Sequence, residues 1–488
     1  MNHMPRFETQ GLAALEARLS GDLEALELPA KPWVPERTVG GRRVHDVVIV
    51  GAGMCGLAAA ARLKLLGIDN VLAVDAAEAG REGPWVTFAR METLRSPKTL
   101  AGPSLGLASL TFRAWFTAQF GEREWEVLDK IPKDQWMAYL VWYRRVLDLP
   151  VRNGVRVTDV RGEGELVRVR CEGAMDTVLL ARHLVLATGR SGLGGAQTPR
   201  FLEGIDRRFW AHSVDRIDFG ALAGKRVAVI GAGASAMDNA ATALEAGAGS
   251  VDMLIRRREM PRINKLTGIG SPGVVHGLHR LPDEWKWRFL AYAADEQVPP
   301  PRASTLRVSR HPNARFLLGC AVHAAIEENG ALRLETSLGP LRADYLIAAT
   351  GFANDLSGRL EFAAIAPHVR TWGDGRQPAA AGGRRPGFSD APDLGPDFEF
   401  RERVTGSCPI LRRIHCFNDA AMLTHGKVSG DIPAVSAGAD RLARGIAAEL
   451  LAADVEAHFE RLQAYDTPEL RGDEWVDAAP LLVRDRAS

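Results

Sequence analysis

The chain has 488 residues, 46% of them apolar and 25% charged, with a formal net charge of +1. That length accommodates two or three domains with substantial cores, and the near-neutral balance excludes a bulk field suited to nucleic acid or an anionic membrane surface. No apolar run is long enough to span a bilayer, the start lacks an apolar signal region, and the five cysteines form neither a C-x-x-C pair nor a metal-ligand spacing, so the expectation is a cytoplasmic protein with no disulfide framework, no metal and no nucleic-acid or membrane partner.

Leu12, Leu15, Leu19, Leu23 and Leu26 recur at steps of three and four, which predicts one helix with a single apolar stripe. It belongs to an N-terminal helical arm, residues 1–43. The stripe either docks on its own chain, the favoured reading, or contacts a second copy in a homo-oligomer. Lys31-Pro-Trp-Val-Pro35 is expected to end the helix, because proline cannot continue it.

From Val44 the pattern becomes strand, turn, helix, strand. Val47-Val48-Ile49-Val50 reads as a parallel strand buried on both faces. It runs into Gly51-Ala-Gly53-Met-Cys-Gly56. There Gly51 makes the turn, Gly53 lets backbone approach a pyrophosphate, and Gly56 lets the following helix pack on the sheet. The N–H groups at that helix start face the anion. A second strand, Val71–Val74, ends at Asp75, 24 residues after Gly51, where a carboxylate accepts hydrogen bonds from ribose hydroxyls.

Leu184–Gly189, with Thr188 and Gly189 at its end, reads as a buried strand running into a tight turn. The strand–loop pattern then returns at Arg226–Ile230, followed by Gly231-Ala-Gly233-Ala-Ser235-Ala236. This time the second strand, Val251–Ile255, ends in Arg256-Arg257-Arg258 instead of an acid. Guanidinium groups pair bidentately with phosphate, so this loop is expected to favour NADPH over NADH. Residues 280–320, with Trp285, Trp287 and a Pro299–Pro301 run, read as a helical insertion or connector. Tyr345–Phe352 repeats the buried strand and turn, with Thr350 and Gly351 at the turn. Residues 372–397 read as a Gly- and Pro-rich surface loop, and the segment from Asp431 as a long C-terminal helix.

The order of Gly loop, ATG, second Gly loop and second ATG resembles flavoproteins in which an NAD(P)H domain is inserted into an FAD domain. The implied fold is α/β with two Rossmann-like dinucleotide-binding domains. The FAD-binding domain spans residues 44–195 and 346–488, and the NADPH-binding domain residues 196–345. The redox-active cysteine pair of the disulfide reductases has no counterpart. Further islands resemble the class B flavin-dependent monooxygenases. Gly83-Pro84-Trp85 is similar to their G-x-W turn, and Ile131–Trp142, containing Gln135, to the helix along the flavin. Phe417–Gly426, with Thr424 and His425, resembles the Thr-His-Gly region of the N-hydroxylating enzymes. Ser429-Gly430-Asp431 resembles the turn that holds the FAD ribityl chain. His212 stands where flavin-containing and Baeyer–Villiger enzymes carry the His of F-x-G-x-x-x-H, but the F and G places hold Asp206 and Arg208, and the Trp expected four residues on is Arg216.

The resemblance implies FAD and NADPH as cofactors, and O2 and a small molecule as substrates. It implies a flavin C4a-(hydro)peroxide that oxygenates nitrogen or sulfur. The alternatives are Baeyer–Villiger oxygenation of a ketone or aldehyde, a flavin reductase or oxidase without oxygen transfer, and a catalytically silent FAD-binding protein. His212 and His425 are the candidate catalytic side chains, each weighed against a purely local hydrogen-bonding role. Met91 is a candidate to pack on the isoalloxazine and Asn264 to reach substrate or NADPH, with core filling and a surface turn as the competing readings.

Overall fold

A computed structural model describes residues 11–374 and 387–479. The expected surface loop at 372–397 therefore lies partly outside the described residues, and its described ends are not a surface loop, since Trp372, Ala391 and Leu394 are buried in apolar clusters.

The first sheet grows from the strand Arg42–Val50, whose Val47, Val48 and Ile49 are fully buried. Val71–Val74 and Thr177–Leu186 flank it in parallel, with Val50 opposite both Val74 and Leu186. Val151–Arg152 extends one side. On the other, Thr177–Leu186 pairs antiparallel with Leu166–Gly173, which pairs antiparallel with Val155–Glu163. Ile414–Cys416 returns late in the chain to pair in parallel with Thr177–Leu186. The helices Met54–Leu65 and Val435–Ala453 pack together over this sheet.

The N-terminal helix, Gly11–Ala25, docks on the same core through Leu15 and Leu19, against the helix Phe112–Phe120. The stripe falls short at Leu26, which is exposed, because the helix ends at Ala25, ahead of the Lys31–Pro35 segment expected to end it.

The second sheet is all parallel, in the order 314–318, 250–255, 226–230, 345–348, 210–212. A separate antiparallel meander, Val322–Glu328, Ala331–Thr336 and Gly339–Ala343, lies beside it. The stretch expected as an insertion near 280–320 divides in two. The helix Asp283–Glu296 lies off the sheet and buries Trp287 against Trp372 and Leu423, while Trp285 stays exposed. Arg302–Leu318 instead supplies a helix against Ala234–Glu245 and the edge strand beside Ser250–Ile255.

Candidate active site

Both glycine loops stand at the carboxyl ends of buried parallel strands, where an open α/β sheet leaves its ligand crevice. In the first, Gly51 has φ +100°, and a Cβ there would lie 2.5 Å from the Ala187 carbonyl oxygen. A Cβ on Gly56 would lie 1.9 Å from the Gly51 oxygen, so the turn and the helix contact exclude any side chain. At Gly53 the nearest atoms belong to Gly83, 3.8 Å away. That glycine therefore faces a slot between two side-chain-free stretches of backbone.

Asp75 closes the loop from below. Its Oδ2 accepts from Ala52 N at 2.7 Å and its Oδ1 from Ala77 N at 2.8 Å. Trp85 packs edge-on against Trp136, ring centroids 6.2 Å apart. The Trp85 Nε1 and the Gln135 Oε1 are buried without a hydrogen-bond partner among the described residues, and a buried polar atom left so calls for one. A cavity of about 510 Å3 opens beside the loop, lined by Ala52, Gly53, Leu57, Glu82 and Met137.

Thr188 follows the strand Thr177–Leu186 and is tied to Asn418. The Asn418 Nδ2 donates to Leu186 O at 2.9 Å and to Thr188 Oγ1 at 3.3 Å. The Ser429 hydroxyl donates to Asn418 O at 2.8 Å, and the Cys55 thiol to Ser429 O at 3.2 Å. Asn418 thus joins the first ATG turn to the Ser429-Gly430-Asp431 turn. Nothing in local spacing singles out this joining role, since Leu186 and Thr188 lie more than two hundred residues earlier.

The second loop repeats the geometry. Gly231 has φ +126°, and a Cβ would lie 2.6 Å from Ala349 O. Ala236 is fully buried, and a Cβ on Gly233 would meet nothing within 4 Å. Ser235 is exposed at the open helix start. Arg256 and Arg258 are exposed at the end of Ser250–Ile255, whereas Arg257 Nη2 donates to Asp295 O at 2.8 Å. Thr350 Oγ1 donates to Gln197 O, and Gly351 O accepts from Gln197 N at 2.9 Å.

His212 ends the edge strand Trp210–His212, opposite Ala348. Its backbone N–H donates to Asp215 Oδ2 at 2.7 Å, its Nδ1 accepts from Val214 N at 3.3 Å, and its ring lies 6.1 Å from Phe352. Burial lowers its pKa. His425 is 1% exposed and stacks on Phe398 at 3.8 Å. Its Nε2 donates to Gly395 O at 2.9 Å and its Nδ1 accepts from Arg441 at 3.1 Å. Burial, reinforced by the Arg441 charge, holds its pKa well below the histidine range. Met91 packs at the edge of the first core, and Asn264 heads the short turn Lys265–Ile269.

A cleft of about 470 Å3 lies between the two halves. Gly233 lines it from the second loop, Pro261 from the segment after Ser250–Ile255, Asp419, Met422, Gly430 and Asp431 from the first unit, and Leu290 and Ala293 from the helix Asp283–Glu296. It thus brings together two sequence-predicted residues, Gly233 and Asp431, that are far apart in the chain. A larger cavity of about 570 Å3, bounded by Asp355, Thr371, Asp374 and Arg403, includes neither glycine loop. The loops, and not cavity size, therefore mark the site. Among the described residues no His, Cys, Asp and Glu cluster could hold a metal, and no helix is long and apolar enough to cross a membrane.

Residues 48–273 match the family model described as pyridine nucleotide-disulphide oxidoreductase. Over 462 residues, 94% of this chain and 98% of the relative, the sequence is 38% identical to the FAD-dependent urate hydroxylase of Xanthomonas campestris pv. campestris. The chain belongs to the FAD-dependent monooxygenases. Among solved structures, this monooxygenase is similar to the ornithine hydroxylase of Pseudomonas aeruginosa, with a TM-score of 0.64 and 16% identity over 83% of this chain and 98% of that one. It is also similar to the ornithine N-hydroxylase of Kutzneria sp. 744, solved with reduced FAD, NADP+ and L-ornithine, with a TM-score of 0.62 and 18% identity over 83% of this chain and 99% of that one. At such identity these likenesses establish the two-domain Rossmann fold and nothing finer. All five cysteines of this monooxygenase are free. The C-x-x-C spacing is absent from its sequence.

Proposed function

We propose that this monooxygenase binds FAD at the first glycine loop, takes electrons from NADPH at the second, and hydroxylates a small, planar, anionic heterocycle of the urate class. The observation that carries the substrate class is the 38% identity, end to end, with a protein named for urate hydroxylation.

The residues present fit both cofactors. Gly51, Gly53 and Gly56 leave the backbone bare for a pyrophosphate, and Asp75 stands beside them for ribose hydroxyls. Thr188 adjoins Gly51 and leads to Gly189, Asp431 lines the cleft between the units, and the unpartnered Trp85 Nε1 and Gln135 Oε1 are polar groups for FAD to satisfy. Gly231, Gly233, Ser235 and Ala236 form the nicotinamide dinucleotide cradle. Thr350 and Gly351 follow Ala349, whose carbonyl lies against Gly231, and Arg256, free of a protein partner in the described hydrogen bonds, is the first choice for a 2′-phosphate, with Arg257 beside it.

When bound, FAD accepts two electrons from NADPH and activates O2, one oxygen atom entering the substrate and the other leaving as water. The protein binds, orients and excludes water. The apolar Leu290, Ala293 and Met422 wall of the cleft serves the last of these. His212 orders the turn at the entry to the second unit. His425 has both ring nitrogens engaged within the protein and stays neutral. Its part is to hold Gly395 and Arg441 in place, with no proton exchanged.

The test is NADPH oxidation and O2 uptake by the purified yellow protein, with hydrogen peroxide measured alongside. Urate is expected to accelerate both without a matching rise in peroxide. Acceleration by an amine, thioether or ketone and not by urate would replace this substrate class with nitrogen, sulfur or Baeyer–Villiger oxygenation. NADPH oxidation that yields only peroxide would leave an oxidase.

A further inference from the structure

The cleft is useful only if its two walls keep a fixed spacing, and the apolar contact across it is local, where Trp287 and Leu290 of the helix Asp283–Glu296 pack on Trp372 and Leu423. The first sheet carries one core cluster, and the second sheet carries two others on its own faces. Polar contacts cross between them, and several converge on residues 90–95.

On the first unit's side this segment is pinned to the start of the helix Lys133–Val146, which contains Gln135. Leu94 N donates to Ile131 O at 2.8 Å, Lys133 N donates to Glu92 O at 3.1 Å, and Thr93 bridges Pro132. On the other side it grips the second unit at three points. Arg90 Nη2 donates to Asp215 O at 3.0 Å, and its guanidinium lies 5.5 Å from the Phe219 ring. Arg95 Nη1 donates to Pro299 O at 3.0 Å. Arg307 Nη1 donates to Arg90 O at 3.2 Å, with Glu92 3.7 Å from its Nε.

Each contact reaches an element of the second site. Asp215 also receives the His212 N–H. Pro299 follows the helix Asp283–Glu296 that lines the cleft. Arg307, 7% exposed, is held to the second loop's helix by Glu245 at 2.6 and 3.0 Å and faces Asp238 at 3.7 Å. A continuous path therefore runs from the helix beside the first loop to the helix that starts at the second.

We propose that residues 90–95 form an interdomain clasp, with Arg90 and Arg307 as positioning residues that set the distance between the nicotinamide and the flavin. The inference rests on the assignment of FAD and NADPH above. In that step NADPH becomes NADP+, and the flavin gains the two electrons and the proton. Transfer requires reacting atoms about 3–3.5 Å apart, and a shift of about 1 Å costs up to about a hundredfold in rate. Loosening the clasp should therefore lower the reduction rate while leaving each cofactor's own contacts intact.

The test uses the FAD-loaded protein and the variants Arg90→Ala, Arg90→Lys and Arg95→Ala, which remove exposed or half-buried donors. Anaerobic mixing with NADPH gives the reduction rate and, from its concentration dependence, the Kd. Hydrogen–deuterium exchange without NADPH reports the Ser213–Arg216 turn independently of turnover. Arg90→Ala is expected to slow reduction by about tenfold or more, with unchanged Kd and flavin content and faster exchange at Ser213–Arg216. Arg90→Lys, which keeps one donor, should recover part of the rate. A rate equal to wild type in Arg90→Ala overturns the clasp, as does a loss confined to flavin content and melting temperature. If the wild-type flavin is not reduced by NADPH at all, the cofactor assignment fails, and it does so in a measurement that involves no variant.

Discussion

A side-chain carbon at Gly56 would meet a backbone oxygen at 1.9 Å, while at Gly53 the nearest atom is 3.8 Å away. The same residue type thus answers to the fold in one case and to a ligand in the other. Gly56→Ala should fail to give folded protein, because the obstruction is backbone that cannot rotate aside. Gly53→Ala should fold with an unchanged melting temperature yet lose FAD affinity by about tenfold or more, the equivalent of one charge-assisted hydrogen bond of roughly 1.5–3 kcal/mol. Flavin titration of the apoprotein measures it, and full affinity in Gly53→Ala would mean that the pyrophosphate lies elsewhere. Arginine allows a similar separation. Arg257 already donates to Asp295 O, so Arg256 has more freedom to meet a 2′-phosphate. Arg256→Ala should raise the KM for NADPH by about ten- to a hundredfold and leave that for NADH nearly unchanged. Steady-state kinetics with the two cofactors decides this, and an unaltered preference removes Arg256 from phosphate recognition. The spacing of glycines, acid and arginines was legible in the sequence because each acts within one strand–turn–helix unit. Asn418 and Arg307 were not, because each acquires its role only when partners far along the chain are brought beside it.

Between elements, the strands Thr177–Leu186 and Ile414–Cys416 pair with Val185 opposite His415, and this brings two buried imidazoles together. His183 Nδ1 lies 3.0 Å from His415 Nε2, Arg413 3.1 Å from His183 Nε2, and His415 Nδ1 2.8 Å from Asp397 O. Arginine can only donate and the carbonyl can only accept, so the chain has one direction. Arg413 donates to His183, His183 to His415, and His415 to Asp397, with both rings neutral. Burial holds His183 well below the histidine range, helped by the neighbouring His415 and Arg413, and holds His415 at about 4. In the unfolded chain both titrate near about 6.5. The unfolded state therefore takes up protons that the native state refuses, and stability present above about 6.5 is lost as pH falls towards about 4, to the extent of about 3 kcal/mol for His415 alone. Buried Asp46 and half-buried Glu399, raised to about 6 and about 7, act with the opposite sign in an overlapping range. The pair is therefore read from the difference between wild type and His183→Gln. Thermal melts across that range should fall less steeply in the variant, and parallel profiles would show that the pair carries no pH-dependent stability. The same scale explains a failure of pattern reading. Ala314–Leu318 is a parallel strand, but as an edge strand with no fully buried residue it lacks the continuous apolar run that betrays its neighbours, and the proline run before it suggests a connector. In the helix Val435–Ala453, by contrast, a small residue has a visible cause. A Cβ on Gly438 would lie 2.1 Å from Val428 O, so that glycine lets the segment leading to Gly430 and Asp431 lie against the helix.

For the molecule as a whole, the arrangement of one unit inside the other follows from where the chain leaves and returns. The second sheet receives the chain at Trp210 and releases it at Ala348, on adjacent strands paired Leu346 to Trp210. The two connections also meet at the Ala196–Phe352 bridge. An insertion whose ends lie side by side leaves the host sheet free to complete itself, which it does with Ile414–Cys416 and the helix Val435–Ala453. The order of motifs made this nesting legible in the sequence, while the cleft between the units was not, since its walls come from six separate stretches. Because the apolar clusters of the two sheets are distinct, each unit should respond to its own cofactor. A ligand that binds only the folded state stabilises by about 2.7 kcal/mol at a hundred times its Kd. Calorimetry of protein stripped of FAD should therefore show two transitions. Added FAD should raise the one belonging to the first sheet and its N-terminal helix, and NADP+ should raise the other. Complete insensitivity to FAD would contradict binding at the first loop. A single transition moved equally by either cofactor would show that the clasp and the helix Asp283–Glu296 couple the two cores into one cooperative unit, and the independence argued from their separate clusters would then fail.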